Sequence, residues 1–237
     1  MAPETFYFGQ PCLENGTVIL KPFDPNIHVS QFVQSIKDNP ESFNLTQLPP
    51  SKTEDEFVDF YNTTFKRPKN CLYAIYYKET SPDGPEPPST YAGTIALAGT
   101  SKQDAATELG ILLFPSFRKK HIATNAVGLM LLWLLDPPSA GGLGFRRVEW
   151  QANVENSSSR KLALRLGFEL EGIKRWARVV TDCEVSVSAD ALAERNGTVK
   201  ELPGRHTAIY SIVWDEWSEK RPAIVSLVGE LKMTCQS

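Results

Sequence analysis

The sequence lacks a hydrophobic run long enough to cross a membrane. Its longest apolar stretch, Val127 to Leu135, is well short of the roughly 18–20 residues that a spanning helix needs. The first ten residues contain no Lys or Arg and no apolar segment, so we expect no signal peptide. These absences predict a cytoplasmic protein with no membrane partner, in which the apolar stretch forms a buried helix.

The sequence also lacks the cysteine pattern of a metal site. Its four cysteines, Cys12, Cys71, Cys183 and Cys235, are far apart and form no closely spaced pair. Such usage is typical of free thiols in a reducing compartment, and it predicts no bound metal.

A large excess of one charge is missing as well. The chain has 25 Lys and Arg against 28 Asp and Glu, which gives a formal net charge of −3. This balance argues against a broad basic face, so we expect no nucleic-acid partner. Hydrophobic residues make up 41% of the 237 residues, which is typical of a soluble globular protein. We expect one domain over residues 1–237.

Apolar patterns and turn residues predict the strands and helices. The predicted strands are Gly16–Phe23, Cys71–Tyr77, Tyr91–Leu97, Thr107–Phe114, Arg147–Ala152, Phe168–Leu170 and Thr207–Trp214. The predicted helices are one containing Val29, Phe32, Val33 and Ile36, one capped by Thr53 and Glu56, His121–Leu135, Ser158–Leu166 with Gly167 as C-cap, and a C-terminal helix over 222–233.

Two segments carry no such pattern. Ser81–Thr90 is rich in proline and predicts an exposed connector, and residues 182–204 predict a polar insertion. The C-terminal helix is predicted to begin at Pro222, with Ile224, Leu227, Val228 and Leu231 on one face. The element order indicates an α+β fold in which helices cover a single mixed sheet.

The segment from Glu108 to Thr124 predicts a strand, a short turn and a helix in direct succession. The first N–H groups of a helix have no internal partner, and the helix dipole adds positive charge there. With Arg118, Lys119 and Lys120 beside it, this turn is a candidate pyrophosphate site. A solvated basic helix start explains the segment equally simply. Neither the dinucleotide glycine spacing nor a Gly-Lys-Ser/Thr triplet is present.

This turn resembles motif A of the GNAT acetyltransferase superfamily, Arg/Gln-x-x-Gly-x-Gly/Ala. Arg118 and Ala123 are in register with it, whereas Lys119 and His121 stand where glycine is usual. Some 30 residues later, Asn156 to Phe168 resembles the Asn-x-x-Ser…Leu-Gly-Phe segment of the RimJ/RimL-like branch without a gap. The resemblance implies the GNAT fold, with a single mixed, mostly antiparallel sheet flanked by helices.

The same resemblance implies an acetyl-CoA cosubstrate and direct transfer of acetyl to a primary amine of a small molecule or a protein N-terminus, by a monomer or homodimer. The cofactor-binding residues that it implies are Leu112, Leu113, Arg118, Lys119, Lys120, His121, Ile122, Ala123, Thr124, Asn153, Asn156, Ser158 and Ser159. Asn156 is also a helix-capping residue type, and with Ser158 and Ser159 it offers short polar groups to a pantetheine arm between two splayed strands.

Acetyl transfer needs a proton acceptor, because amines with an ordinary pKa of about 10 arrive protonated. Glu108 is our candidate catalytic base, since it aligns with the Glu of Glu-Ile-Gly-Tyr in this branch; a salt-bridged strand carboxylate is the alternative. Glu149 and His206 are reserve candidates. The family match implies oxyanion donors among the N–H groups around Leu112 and Leu113. Ala163 occupies the position at which many GNAT enzymes carry a thiolate-protonating Tyr.

The acceptor site is expected between residues 27–66, the Ser81–Thr90 connector and Trp176–Thr207. Aromatic residues in and near these regions (Phe43, Phe57, Tyr61, Trp176) and acidic ones (Glu54, Asp55, Glu56) suit a cationic or aromatic amine, unless the aromatics are simply core. His121 and the missing Tyr leave open a catalytically silent acyl-CoA-binding or regulatory module. A scaffold that binds partners through its C-terminal helix is a third hypothesis.

Overall fold

The computed structural model describes residues 6–40, 51, 53–79, 89–179 and 204–234. Within them, nine strands form one sheet flanked by five α-helices. The strands are β1 (Cys12–Glu14), β2 (Val18–Pro22), β3 (Cys71–Lys78), β4 (Ser89–Ser101), β5 (Ala106–Leu113), β6 (Arg147–Asn153), β7 (Glu169–Val179), β8 (Gly204–Val213) and β9 (Lys232–Thr234). The helices are α1 (Pro25–Asp38), α2 (Glu54–Thr64), α3 (Ile122–Leu135), α4 (Ser157–Arg165) and α5 (Trp217–Val228).

The sheet has the strand order β7-β8-β6-β5-β4-β3-β2-β1-β9. Every neighbouring pair is antiparallel except β5 and β6, which run parallel. The predicted α+β fold with a single mixed, mostly antiparallel sheet is therefore confirmed. Each predicted strand is present, and β1 and β9 are two short strands that the sequence patterns did not indicate.

The two faces of the sheet are covered by different helices. One apolar cluster contains residues of α3, α4 and α5, and the other contains residues of α1 and α2. Strand alternation distributes the side chains between them: in β3, Tyr73 and Ile75 join the first cluster, whereas Leu72 and Ala74 join the second. The sheet is thus buried on both faces at its centre.

Local signals explain where the first two helices begin. Asp24 caps α1 by accepting a hydrogen bond from the Asn26 N–H, with Pro25 at the first helical position. The predicted capping box of α2 is confirmed: Thr53 Oγ1 accepts from the Glu56 N–H at 3.2 Å, and Glu56 Oε2 accepts from the Thr53 N–H at 3.3 Å.

The apolar stretch at Val127–Leu135 lies in α3, where thirteen of the fourteen residues are buried, as predicted. None of the helices in the described ranges is long and apolar enough to cross a membrane. Gly128 brings α3 close to α5, because a Cβ at this position would lie 2.5 Å from Val228 Cγ1.

The predicted C-terminal helix is wrong in its boundaries. Helix α5 begins at Trp217, contains Pro222 in its interior, and ends at Val228. Leu227 is 46% exposed and Leu231 lies beyond the helix, so only Ile224 and Val228 of the predicted face are buried. The start is fixed by contacts to a distant residue, since Trp217 Nε1 and Arg221 Nε each donate to Asp136 Oδ1 at 2.8 Å.

Other boundaries also differ. Ser89 and Thr90 belong to β4, and Gly204 opens β8, so the predicted connector and insertion are shorter at these ends. The rest of both segments, like Cys183 and Cys235, lies outside the described residues. Leu166, not Gly167, is the C-cap of α4; Gly167 follows it with a φ of +82°.

Candidate active site

The parallel strands β5 and β6 separate after three residue pairs. Ala106–Glu108 pairs with Arg147–Glu149, but β5 stays paired with β4 as far as Leu113, and β6 stays paired with β8 as far as Asn153. The divergence opens a cleft of about 290 Å³. Its wall is formed by Phe60, Thr64, Phe65, Leu72, Thr94, Ala96, Ala98, Glu108, Leu109, Gly110, Ile111, Leu112, Trp150, Gln151, Ala152, Asn156, Ser159 and Arg205.

The edge of β5 that faces the cleft carries backbone hydrogen-bonding groups. The Phe114 N–H donates to the Ala92 carbonyl of β4 at 2.9 Å. Because N–H groups alternate in direction along a strand, that of Leu112 also points to β4, and those of Ile111 and Leu113 point to the cleft. Of the two expected donors, the Leu113 N–H points away from β4, as does that of Ile111; which N–H groups bind the oxyanion stays a prediction.

The N-terminus of α3 lies at the end of this edge. A turn of 3₁₀-helix at Pro115–Phe117 leads from β5 to the helix, whose N-cap residue, His121, makes no side-chain capping hydrogen bond. The N–H groups of the first turn, which includes Ile122, Ala123 and Thr124, have no intrahelical acceptor and carry the positive end of the helix dipole.

The two residues that stand where the family pattern has glycine, Lys119 and His121, both have a left-handed backbone. Lys119 has a φ of +63° and His121 a φ of +59°. Glycine adopts this region without a penalty, whereas other residues lose about 1–2 kcal/mol there. The turn thus keeps the shape that glycine would give it, and the substitutions add side chains without changing the path of the backbone.

The basic residues of this turn are exposed. Arg118, Lys119 and Lys120 all lie on the surface, where an anion can reach them. The Lys120 ammonium lies 5.4 Å from the ring centre of Phe117 and 5.6 Å from that of Tyr77, which restricts this long side chain. Exposed cations beside uncapped helix N–H groups are the arrangement that a pyrophosphate site requires, and the site itself stays a prediction.

The start of α4 forms the opposite wall. Asn156 caps the helix by accepting from the Ser159 N–H at 3.0 Å, and Ser159 Oγ accepts from Trp150 Nε1 at 3.0 Å. Asn156 and Ser159 line the cleft, but Ser158 is exposed outside it. Asn153 is buried, and its Oδ1 accepts from the Glu155 N–H at 3.1 Å, so it shapes the turn before the helix.

Glu108 lies where the two strands begin to separate, and its side chain lines the cleft. Burial raises the pKa of its carboxyl, and the neighbouring Glu149 raises it further, while Arg178 and Arg205 act in the opposite direction. A raised pKa makes this carboxylate a stronger base than an exposed Glu.

The reserve candidates are placed less favourably. Glu149 accepts hydrogen bonds on both oxygens, from Arg147 Nη2 and Gln151 Nε2, each at 2.8 Å, and it does not line the cleft. His206 Nδ1 accepts from the Trp176 N–H at 2.9 Å, outside the cleft wall. Both side chains therefore have structural partners that Glu108 does not share.

The predicted aromatic frame of the acceptor site is partly wrong. Phe57 is buried in the core against Phe32, and Tyr61 Oη donates to the Phe23 carbonyl at 3.2 Å. Phe60 and Phe65 contribute to the cleft instead, from the end of α2 that is opposite the acidic first turn. Trp176 is 44% exposed, and Phe43 lies outside the described residues.

Sequence reasoning missed Arg205, a cleft residue that is only 2% exposed. The predicted strand began at Thr207, whereas β8 begins at Gly204. Alternation along the longer strand places Arg205 on the same face as Thr207. A predicted strand that began at Gly204 would have included Arg205 as a candidate cleft residue.

The comparisons with known proteins identify the family. The profile of the acetyltransferase (GNAT) domain matches residues 17–169. This chain belongs to the GNAT acetyltransferase family. A GCN5-related N-acetyltransferase from Brucella melitensis has a similar structure, with a TM-score of 0.71 and 24% identity over 93% of this chain and 86% of that one. No curated protein sequence matches the chain significantly.

Two further GNAT structures are similar in fold. The ribosomal L7/L12 alpha-N-protein acetyltransferase RimL matches with a TM-score of 0.62 and 18% identity, over 84% of this chain and 91% of its own. The microcin C7 self-immunity acetyltransferase MccE, in complex with acetyl-CoA and AMP, matches with a TM-score of 0.58 and 18% identity, over 84% and 93%. In the part of the chain that the structure describes, no group of three His, Cys, Asp or Glu residues is arranged to hold a metal ion.

Proposed function

We propose that this GNAT protein is an acetyl-CoA-dependent N-acetyltransferase that acetylates a primary amine of a small molecule or a protein N-terminus. The observation that carries the proposal is the cleft, whose wall includes the open edge of β5 and the half-buried carboxylate of Glu108, with the uncapped N-terminus of α3 following β5 after one short turn. Family membership supports acetyl transfer, and the MccE structure shows acetyl-CoA bound to a protein of this fold.

The cleft suits each part of the cosubstrate. The turn from Arg118 to His121, with the first N–H groups of α3, offers donors and positive charge to the pyrophosphate. The N–H groups of Ile111 and Leu113, which point away from β4, are available to amide and thioester oxygens, and Asn156 and Ser159 offer polar groups from the other wall. When bound, acetyl-CoA supplies an acyl thioester, from which the amine nitrogen takes the acetyl group as the carbon–sulfur bond breaks.

Glu108 is the proposed proton acceptor. The ammonium of the acceptor loses a proton before it attacks, and the Glu108 carboxylate receives this proton directly or through a water. Ala163 is buried at the position where many family members carry a Tyr, so no acid at this position can protonate the thiolate. Solvent or another group serves that role.

The second candidate function is a catalytically silent acyl-CoA-binding module. The observation that favours it is the same Ala163, because the protein would bind the thioester without completing the transfer. The two functions share the cofactor cleft but differ in the need for a base at Glu108.

The experiment that tests the proposal has two readouts. Coenzyme A and acetyl-CoA should each raise the thermal midpoint of the protein, because a ligand that binds only the folded state stabilises it. Acetyl-CoA consumption is then measured with amino acids, polyamines, arylamines and peptide N-termini. A thermal midpoint that does not change at millimolar coenzyme A would contradict both candidate functions. Binding of coenzyme A without acetylation of any tested amine would favour the silent acyl-CoA-binding module.

A further inference from the structure

The cleft wall contains two charged side chains of opposite sign among the described residues, Glu108 and Arg205. Strand alternation places both on the sheet face that α1 and α2 cover, on either side of β6. Glu108 suits the binding of an amine, since a carboxylate attracts the ammonium and then accepts its proton. A guanidinium in the same wall has no role in amine binding and would repel a purely cationic acceptor.

Arg205 is placed to receive an oxyanion. Its side chain is 2% exposed and lines the cleft. The planar guanidinium presents N–H groups in a fork that matches a carboxylate with two parallel hydrogen bonds. Arg205 thus adds to the cleft a feature that a simple amine would not use.

A second cation, Arg178, lies beside Arg205; it is exposed and does not belong to the cleft wall. Arg178 on β7 pairs in register with Arg205 on β8, directly after a bulge in the pairing between Lys174 and Arg178. Both guanidinium groups are close enough to Glu108 to lower the pKa of its carboxyl. Two adjacent cations beside one acid form a site with separate positive and negative ends.

The bulge that presents Arg178 is held by defined contacts. Trp176 has a left-handed backbone with a φ of +53°, its N–H donates to His206 Nδ1, and its ring fills the space that a Cβ at Gly204 would occupy. Non-glycine residues adopt this conformation at a cost, and bulges next to active sites redirect side chains. Trp176 is accordingly a positioning residue for the Arg178–Arg205 pair.

The remaining wall near α2 is apolar. Phe60, Phe65 and Leu72 line the cleft on this side, and they match an aliphatic or aromatic substituent. The site has three parts: the Glu108 carboxylate, the two arginines and the apolar wall near α2. An acceptor that binds to all three carries an amine, an anionic group and an apolar side chain within a few bonds of each other.

We infer that the acceptor is a free α-amino acid with an apolar side chain, with its amine at Glu108 and its carboxylate at Arg205 and Arg178. This inference rests on the proposed function and narrows it from amines in general to one class. A peptide N-terminus lacks the adjacent carboxylate, so it is the competing outcome of the test.

The test compares phenylalanine with phenylalanine amide, phenethylamine and a short peptide that begins with phenylalanine. These acceptors share the amine and the ring and differ in the carboxylate. Hydrogen bonds to a charged group contribute about 1.5–3 kcal/mol, so kcat/KM for phenylalanine should exceed that for the amide by about 10- to 100-fold. Equal values for the acid and the amide, or a preference for the peptide, would overturn the inference.

Variants then locate the carboxylate. Arg178→Gln, at an exposed position, should lower kcat/KM for phenylalanine about 10-fold or more relative to that for phenethylamine. Both values are measured above the acid limb of the pH profile, so that the effect of Arg178 on the pKa of Glu108 does not enter. Arg205→Lys, which retains the buried charge, should act in the same direction. Arg175→Gln is the matched control on the same strand and should change neither value. An equal loss with both acceptors in the Arg178 and Arg205 variants would contradict the assignment.

Calorimetry separates this inference from the proposed function. Phenylalanine should bind the coenzyme A-loaded protein at least 10-fold more tightly than its amide, whether or not turnover occurs. Selective binding without acetylation of any amine would refute the proposed function and support the amino-acid site. Acetylation of amines with no selectivity for the carboxylate would refute the site and support the function.

Discussion

Glu108 and Glu149 are the last paired residues of β5 and β6, and the cleft opens directly beyond them. Two carboxylates on neighbouring strands repel each other, and this repulsion adds to burial in raising the pKa of Glu108. The point at which the strands part is thus also the point at which a carboxylate gains basicity. The first three predictions follow from this arrangement.

Glu108→Gln should abolish most acetyl transfer and keep cofactor binding. A positioned base contributes about 10²- to 10⁴-fold, so kcat should fall by at least about 100-fold, measured by acetyl-CoA consumption at saturating acceptor. The thermal shift caused by coenzyme A should be unchanged. Activity within about threefold of the parent protein would show that Glu108 is a structural carboxylate.

The same variant should change stability in a pH-dependent way. The pKa of Glu108 is raised in the folded state above its unfolded value of about 4.3, so ionisation penalises folding once the pH exceeds the unfolded value. Gln carries no charge, and the variant should have the higher thermal midpoint at pH 8. Below about pH 4 the difference should disappear, which melting curves across this range would check.

Glu149→Gln should shift the pH profile of catalysis instead of abolishing it. Removing this negative charge lowers the pKa of Glu108, and the acid limb of the kcat/KM profile should therefore move to lower pH. Glu169→Gln is the control, because Glu169 is exposed and pairs with Lys220. An acid limb at the same pH in both variants would exclude Glu108 as the titrating group.

Lys119→Gly should stabilise the protein in the absence of cofactor. Relief of a left-handed backbone gains about 1–2 kcal/mol, and the extra unfolded-state entropy of glycine removes about 0.5–1 kcal/mol. We expect a net increase of up to about 1.5 kcal/mol in the free energy of unfolding, measured with urea.

Lys120→Gly is the control for this substitution. Lys120 does not have a positive φ, and it also loses its contacts with Phe117 and Tyr77, so this variant should be less stable than the parent. A loss of stability in both variants would show that the turn does not store backbone strain.

Gly128→Ala should destabilise the protein although alanine favours helices. A Cβ at position 128 would lie 2.5 Å from Val228 Cγ1, and overpacking of this kind costs about 1–3 kcal/mol. The sign should reverse in a Val228→Ala background, where the added methyl occupies free space and contributes about 1 kcal/mol of helix propensity. Urea unfolding of the two single variants and the double variant measures this coupling. Additive effects would refute the close packing of α3 on α5.

The strands and helices that were predicted correctly are marked by sequence patterns within the element itself. The capping box at Thr53 and Glu56 lies within four residues, and the apolar stretch of α3 is continuous, so each could be read without knowing its neighbours. The cofactor segment likewise follows from one strand, one turn and one helix; the cofactor residues assigned there remain predictions.

The features that escaped prediction depend on distant partners. Helix α5 begins at Trp217 because Asp136, 81 residues earlier, binds its first turns, and the proline signal at Pro222 was therefore misleading. Arg205 enters the cleft wall through the length of β8, which is set by pairing with β7 and β6. Neither relationship leaves a periodic pattern in the sequence.

The pairing of β1 with β9 has a consequence for the order in which the chain folds. Cys12 and Thr234 are register partners, although they are 222 positions apart. A contact of such separation forms only after Thr234 has been synthesised, and closing so long a loop is entropically unfavourable until the intervening chain has folded. The strands β5 and β6, whose separation opens the cleft, and their neighbours β4 and β8 lie within residues 89–213, so they can associate on the ribosome before the outer edge of the sheet is added. We expect the β1–β9 edge to be the last part of the sheet to form and the first to exchange its amide protons.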